Sequence, residues 1–118
     1  MEIKKQGYAL EIKISHPESR NALSLPLIES LSDALMNAET DDNTRFLLLT
    51  GEQDIFCSGF QLSGFLAAAE NPEVEILAGK FFDLLLAFTA SSKIIICETE
   101  GDVLGGGVGI ISAADHVV

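Results

Sequence analysis

Residues 94–114 read IIICETEGDVLGGGVGIISAA, and this stretch decides the architecture. Ile94 to Cys97 is an apolar run of strand length. Gly101 and Gly105-Gly106-Gly107 punctuate the loop that follows. Val108 to Ala114 then predict a short buried helix opening from that loop. A strand, a glycine-rich turn and a helix, in that order, point to an α/β chain.

The same alternation runs back to the amino terminus. Tyr8, Leu10, Ile12 and Ile14 alternate with Ala9, Glu11, Lys13 and Ser15, the period of a half-buried strand. His16 to Ser24 is turn-rich. Ser24 is placed to cap a helix, with Pro26 tolerated in its first turn. Leu27, Ile28, Leu31, Ala34, Leu35 and Ala38 follow at helical spacing, until the polar run Glu39 to Thr44 ends the helix. Phe46 to Thr50, closed by Gly51, reads as a strand covered on both faces. Asn71-Pro72 starts a second helix, with Asn as the cap. It runs to about Phe88 and carries Phe81, Leu84, Leu85 and Phe88 on one face. The predicted order is strand, helix, strand, helix, strand, helix.

Composition narrows the partners. The chain has 118 residues, enough for one domain, and its 47% hydrophobic content excludes a disordered tail. Its net charge of −11 argues against nucleic acid and against an anionic membrane surface, because phosphate neutralisation needs clustered Lys and Arg. The apolar stretches are too short or too interrupted to span a bilayer. Met1 to Leu10 carries charges and no apolar core, so no signal peptide is read and a cytoplasmic location is expected. Cys57 and Cys97 lie in or beside apolar runs without CxxC spacing, which fits buried reduced thiols; no metal site is expected. The chain ends at Val118 inside an apolar run, and the expectation is a chain truncated or split at its carboxyl end.

Two segments invite chemistry. Phe56-Cys57-Ser58-Gly59-Phe60-Gln61-Leu62 ends a strand with a glycine before a new element. Gly105 to Gly109 again joins a strand to a helix. Amides from two such turns, aimed at one point, are what an oxyanion hole requires. Read from the residues alone, both clusters also fit as tight turns with no chemical role. A phosphate loop fits poorly: the Lys-Ser/Thr of a Walker loop is missing, and Gly107-Val108-Gly109 is followed by Ile110, Ile111 and Ser112 where a dinucleotide fingerprint needs another glycine. His16 before Pro17 and the acidic Asp41-Asp42 read as solvated positions, and Glu98 and Glu100, alternating on a strand, as facing water or a partner. Asp115 reads as a strand-start turn residue, and His116 as a satisfied structural histidine.

Four segments in order resemble the enoyl-CoA hydratase/isomerase (crotonase) family. They are Ser19-Arg20-Asn21-Ala22-Leu23-Ser24, Leu47 to Gly51, Phe56 to Leu62, and Lys93 to Gly101 with its glycine-rich turn. The resemblance covers nearly the whole chain. It implies a crotonase-like (ClpP/crotonase) α/β spiral of β-β-α units over residues 1–118, amino-terminal portion only. Carried over by position, it implies that the backbone amides of Phe60 and Gly106 form the oxyanion hole. It also implies that Arg20, Ala22, Ser58, Gln61 and Leu62 flank the CoA channel. The implied substrate is an acyl-CoA or an acyl-phosphopantetheine thioester, with no cofactor.

The departures from the family are specific. The first catalytic Glu of family hydratases falls at Gly109, which cannot act as acid or base, and the second falls beyond Val118. Gln61 replaces the usual Asp and Ile94 the usual Pro. Gly105 to Asp115 further resembles dehydratases of polyketide β-branching, which act on a 3-hydroxy-3-methylglutaryl group carried by acyl carrier protein. Two functions are therefore expected: an acyl-thioester lyase or isomerase, or a non-catalytic crotonase-like binding subunit. The chain is expected to form a homo-oligomer.

Overall fold

The computed structural model describes residues 1–60 and 72–118. Helix α1 (Leu25–Glu39) starts where the sequence reading puts it, with the Leu27 N–H donating to the Ser24 hydroxyl at 3.3 Å. Its buried residues are Leu27, Ile28, Leu31, Ala34, Leu35 and Ala38, the six read from spacing. Each buried leucine or isoleucine contributes roughly 1.5–3 kcal/mol.

Among the described residues, two further helices and seven short strands accompany α1. They are β1 (Glu2–Gln6), β2 (Ala9–Lys13), β3 (Phe46–Thr50), β4 (Ile55–Cys57), β5 (Ile94–Glu98), β6 (Asp102–Val103) and β7 (His116–Val117); the helices are α2 (Pro72–Ala90) and α3 (Gly106–Ala113). The larger sheet has the order β1-β2-β3-β5-β7, parallel except for the β1–β2 hairpin. In register, Ile12 faces Leu49 and Leu49 faces Cys97, so one apolar row crosses three strands. The second sheet pairs β4 with β6 in parallel. After the opening hairpin, the chain twice repeats one unit: a strand of the large sheet, a strand of the small sheet, then a helix.

The structure departs from the sequence reading at several places. Strand β1 was not expected, because its residues are charged and exposed, as suits the edge of a sheet. Tyr8 is not on the buried face. It sits in the hairpin turn after Gly7, half exposed, with the Arg45 guanidinium 4.4 Å over its ring. Strand β3 is not covered on both faces. Leu47 and Leu49 are buried under the helices, while Phe46, Leu48 and Thr50 on the other face are half covered. Asn71, read as the cap of α2, lies outside the described residues, and α2 continues to Ala90. Along α2, Leu84 and Phe88 are buried and Phe81 and Leu85 half buried, as the spacing predicts. Both thiols are free and buried, and burial pushes Cys97 up to about 12.

The turn between α2 and β5 is tied to the end of α1. The Glu39 carboxylate accepts the Ser92 hydroxyl at 2.7 Å, the Ser92 amide and the Ser91 hydroxyl. Burial pushes this carboxyl up, but the serine hydrogen bonds and nearby Lys93 outweigh it and hold it below the usual glutamate range. A lowered folded pKa gives stability that is full above the ordinary glutamate value and is lost as pH falls through the lowered one. Glu39→Gln is therefore expected to remove part of the acid-induced loss of stability. Thermal unfolding between pH about 3 and about 7 checks this, with a flatter profile for the variant.

Candidate functional site

The two glycine turns meet. Gly59 follows β4 with φ +83, and a Cβ there would lie 2.9 Å from the Leu104 carbonyl and 3.1 Å from the Gly106 nitrogen. Only glycine supplies both that left-handed angle and that closeness. The Leu104 N–H donates to the Cys57 carbonyl at 2.9 Å, locking the second turn against β4. A Cβ on Gly107 would come within 2.9 Å of the Cys57 Cβ, so the start of α3 packs directly on that strand.

Helix α3 opens at Gly106. The Gly107 and Val108 amides donate to the Leu104 and Gly105 carbonyls at 2.9 and 3.0 Å. Among the described residues no acceptor stands on the Gly106 N–H, one of the unpartnered donors of a helix start. Phe60 lies opposite. Its ring Cε2 would be 3.1 Å from a Cβ on Gly106, and it meets Phe81 edge-on with centroids 5.0 Å apart. The bulk of Phe60 is thus accommodated between α2 and α3.

A third segment braces the seam. Leu23 pairs with Phe60 in an isolated parallel bridge, its N–H donating to the Gly59 carbonyl at 2.8 Å. Arg20 and Asn21 both hold left-handed backbone, φ 54 and 55. Asn21 is fully buried. Its Nδ2 donates to the carbonyls of Ile14 (3.0 Å), Phe56 (3.2 Å) and Ile55 (3.3 Å), and its Oδ1 accepts the His16 N–H at 2.7 Å. One carboxamide therefore joins the residue after β2, strand β4 and the loop that braces Gly59. Asn21 stood inside a quoted segment without a role; the signal available was a short amide side chain in a turn, the type that tolerates left-handed backbone.

Of the sequence-predicted positions, Phe60, Gly106, Ala22 and Ser58 come together here. Ala22 is buried beside Asn21, and the Ser58 hydroxyl donates to the Ser19 carbonyl at 3.4 Å. Arg20 projects outward with its guanidinium 3.7 Å from the Asp102 carboxylate, an exposed pair. Gln61 and Leu62 lie outside the described residues. Asp115 anchors β7: its Oδ2 accepts the Ile95 N–H at 2.8 Å, in line with a strand-start role. His116 corrects its reading, since it is exposed on that two-residue edge strand rather than held in the interior. Glu98 and Glu100 line an open recess of about 250 Å³ with Glu11, Lys13 and Glu52. No residue of the glycine turns lines that recess.

Comparison with known proteins places this arrangement. Residues 4–118 match the family model described as Enoyl-CoA hydratase/isomerase. The chain is 33% identical over 106 residues to the probable enoyl-CoA hydratase echA6 of Mycobacterium tuberculosis, covering 90% of this chain and 41% of that protein. It is 32% identical to the Alternaria alternata enoyl-CoA hydratase AKT6-1, covering 97% of this chain and 37% of that protein. An enoyl-CoA hydratase/isomerase from Marinobacter aquaeolei superposes with a TM-score of 0.87 at 31% identity, over 98% of this chain and 46% of that one. The Bacillus anthracis enoyl-CoA hydratase, at 24% identity and a TM-score of 0.91, shares the fold. The chain thus spans less than half the length of these relatives and corresponds to the amino-terminal portion of the crotonase spiral.

Proposed function

Because the chain belongs to the enoyl-CoA hydratase/isomerase family, we propose that its two glycine turns hold the carbonyl of an acyl thioester between the amides of Phe60 and Gly106. The observation that carries this reading is the seam itself, where Gly59 backs directly onto Gly105-Gly106. Two preorganised N–H donors at a carbonyl oxygen stabilise the charge that develops as an enolate forms. Hydration or dehydration beside the carbonyl is the reaction class this serves. Arg20, Ala22 and Ser58, with Gln61 and Leu62, would flank the pantetheine arm. That arm is common to acyl-CoA and to an acyl group on a carrier protein, so the polyketide setting implied by residues 105–115 calls on the same carbonyl site.

A second reading has its own observation. Gly109 carries no acid or base, and Phe81 and Leu85 stand against it at 3.3 and 3.5 Å from where a Cβ would be. This favours a thioester-binding unit that does not itself move protons. The purified chain is accordingly expected to bind crotonyl-CoA more tightly than free CoA and to hydrate it no faster than buffer. Calorimetric titration and loss of enoyl absorbance check the two halves. Robust turnover that vanishes in Gly106→Pro would contradict the second half, and equal affinity for CoA and crotonyl-CoA the first.

Association is expected as well. Phe82, Leu86, Leu104, Val108, Val117 and Val118 are large apolar side chains about half or more exposed. Ile110, near the carboxyl end, is fully buried against the core, and Ile111 is half buried. The apolar surface therefore lies on α2, the loop before α3, α3 and β7. Surface of this kind favours self-association. Sedimentation velocity should show an oligomer that dissociates on dilution; a single monomeric species at every concentration would contradict this.

A further inference from the structure

Four apolar side chains, Leu23, Phe60, Phe81 and Leu85, stand against the glycines of the second turn and of α3. Phe60 packs over Gly106, Phe81 meets Phe60 edge-on, and Phe81 and Leu85 close over Gly109, with the buried Leu23 on the other side of Gly106. The Phe81 Cζ lies 3.3 Å from where a Cβ on residue 109 would stand, so the ring fills the space into which a side chain there would grow. Among the described residues, the cation stacked on a ring is Arg45, which lies over Tyr8 and not over Phe60 or Phe81. Arg20 is turned outward to Asp102, and residues 61–71, QLSGFLAAAEN, contain no Lys, Arg or His whatever their path.

Building on the thioester reading, we infer that Phe81 is a specificity-determining residue that selects an uncharged acyl tail over one ending in a carboxylate. A carboxylate brought against two phenyl rings loses its hydration and gains no partner, whereas methylene groups gain contact area. The wall therefore opposes a glutaryl-type group, including the 3-hydroxy-3-methylglutaryl group implied by the glycine-run resemblance. Gly109 belongs to the same device, because a side chain longer than a methyl group there would grow into the ring of Phe81.

The test is a matched pair. Pentanoyl-CoA and glutaryl-CoA have acyl chains of equal length and differ by a terminal carboxylate. Their dissociation constants for the full chain are measured calorimetrically at about 0.3 M salt, where general repulsion from the net charge is screened. Pentanoyl-CoA is expected to bind at least about tenfold more tightly, the scale of one or two transferred methylene groups. Phe81→Leu should keep the preference. Phe81→Lys, which sets a cation in the same wall, should abolish or invert it. Equal affinity of the unaltered chain for the two ligands overturns the inference with no variant needed. An unchanged preference in folded Phe81→Lys assigns selection to other residues and also overturns it. If neither thioester binds more tightly than free CoA, the thioester reading itself fails.

Discussion

Asn21→Ala is expected to destabilise the protein by about 3–5 kcal/mol. The side chain is fully buried and accepts one backbone amide while donating to three carbonyls. Alanine takes that partner from the His16 N–H and from the Ile14 and Phe56 carbonyls, at about 1–3 kcal/mol for a group left unsatisfied, while the Ile55 carbonyl keeps the Glu52 N–H. It also takes on a φ of +55, which asparagine tolerates and alanine resists by about 1–2 kcal/mol. The midpoint of thermal unfolding should fall by roughly 10–20 °C. Asn21→Asp separates shape from hydrogen bonding. A carboxylate would face the oxygens of Ile14, Ile55 and Phe56, which raises its pKa. Its protonated form can donate, so this variant should be weak at neutral pH and recover as pH falls. A loss near 1 kcal/mol in Asn21→Ala would show that the loop is held by other means.

Gly106→Pro is expected to weaken acyl-thioester binding about three- to tenfold relative to Gly106→Ala, the worth of one neutral hydrogen bond. Proline is tolerated at a first helical position, where the missing N–H has no intrahelical partner. Both variants add a Cβ that meets the Leu23 Cδ1 and the Phe60 ring, at 2.6 and 3.1 Å before relaxation. The shared Cβ cancels in their ratio, which reads the loss of the N–H together with the proline ring carbons that replace it. In a complete active site the same lost donor would cost about 10²–10³ in rate, because its charge-stabilising role grows in the transition state. Circular dichroism of both variants establishes that each is folded. Equal affinities for the thioester would remove Gly106 from the site.

Much of this architecture was legible in the sequence because its signals are local. The spacing of Leu27 to Ala38 and the hydroxyl of Ser24 determine α1 within one segment. The runs at Phe46 and Ile94 coincide with β3 and β5 to within a residue. Other features escaped for physical reasons. Strand β1 carries a single apolar residue, Ile3, and is exposed throughout, and β4 and β6 hold three and two residues, too short to carry a period. The burial of Ile110 depends on β4, a distant segment that only the fold brings beneath α3. The site divides in the same way. Both glycine turns could be read from composition, and their meeting at Gly59 followed only from the pairing of β4 with β6. Asn21 reaches carbonyls 34 and 35 residues away, a distance at which no local pattern operates. Phe81 was read as a core residue on a helix face, and its position over Gly109 emerges only when α2 lies against α3.

The central claim is that the seam between Gly59 and Gly106 polarises a thioester carbonyl. Infrared difference spectroscopy of bound crotonyl-CoA, labelled with ¹³C at the carbonyl, measures this directly. The carbonyl band is expected to move to lower frequency on binding, as two amide donors draw electron density onto the oxygen. In Gly106→Pro the shift should shrink, while Gly106→Ala should retain most of it. A ligand that binds with its carbonyl band where it lies in water, or a shift indifferent to the Gly106 amide, would contradict it.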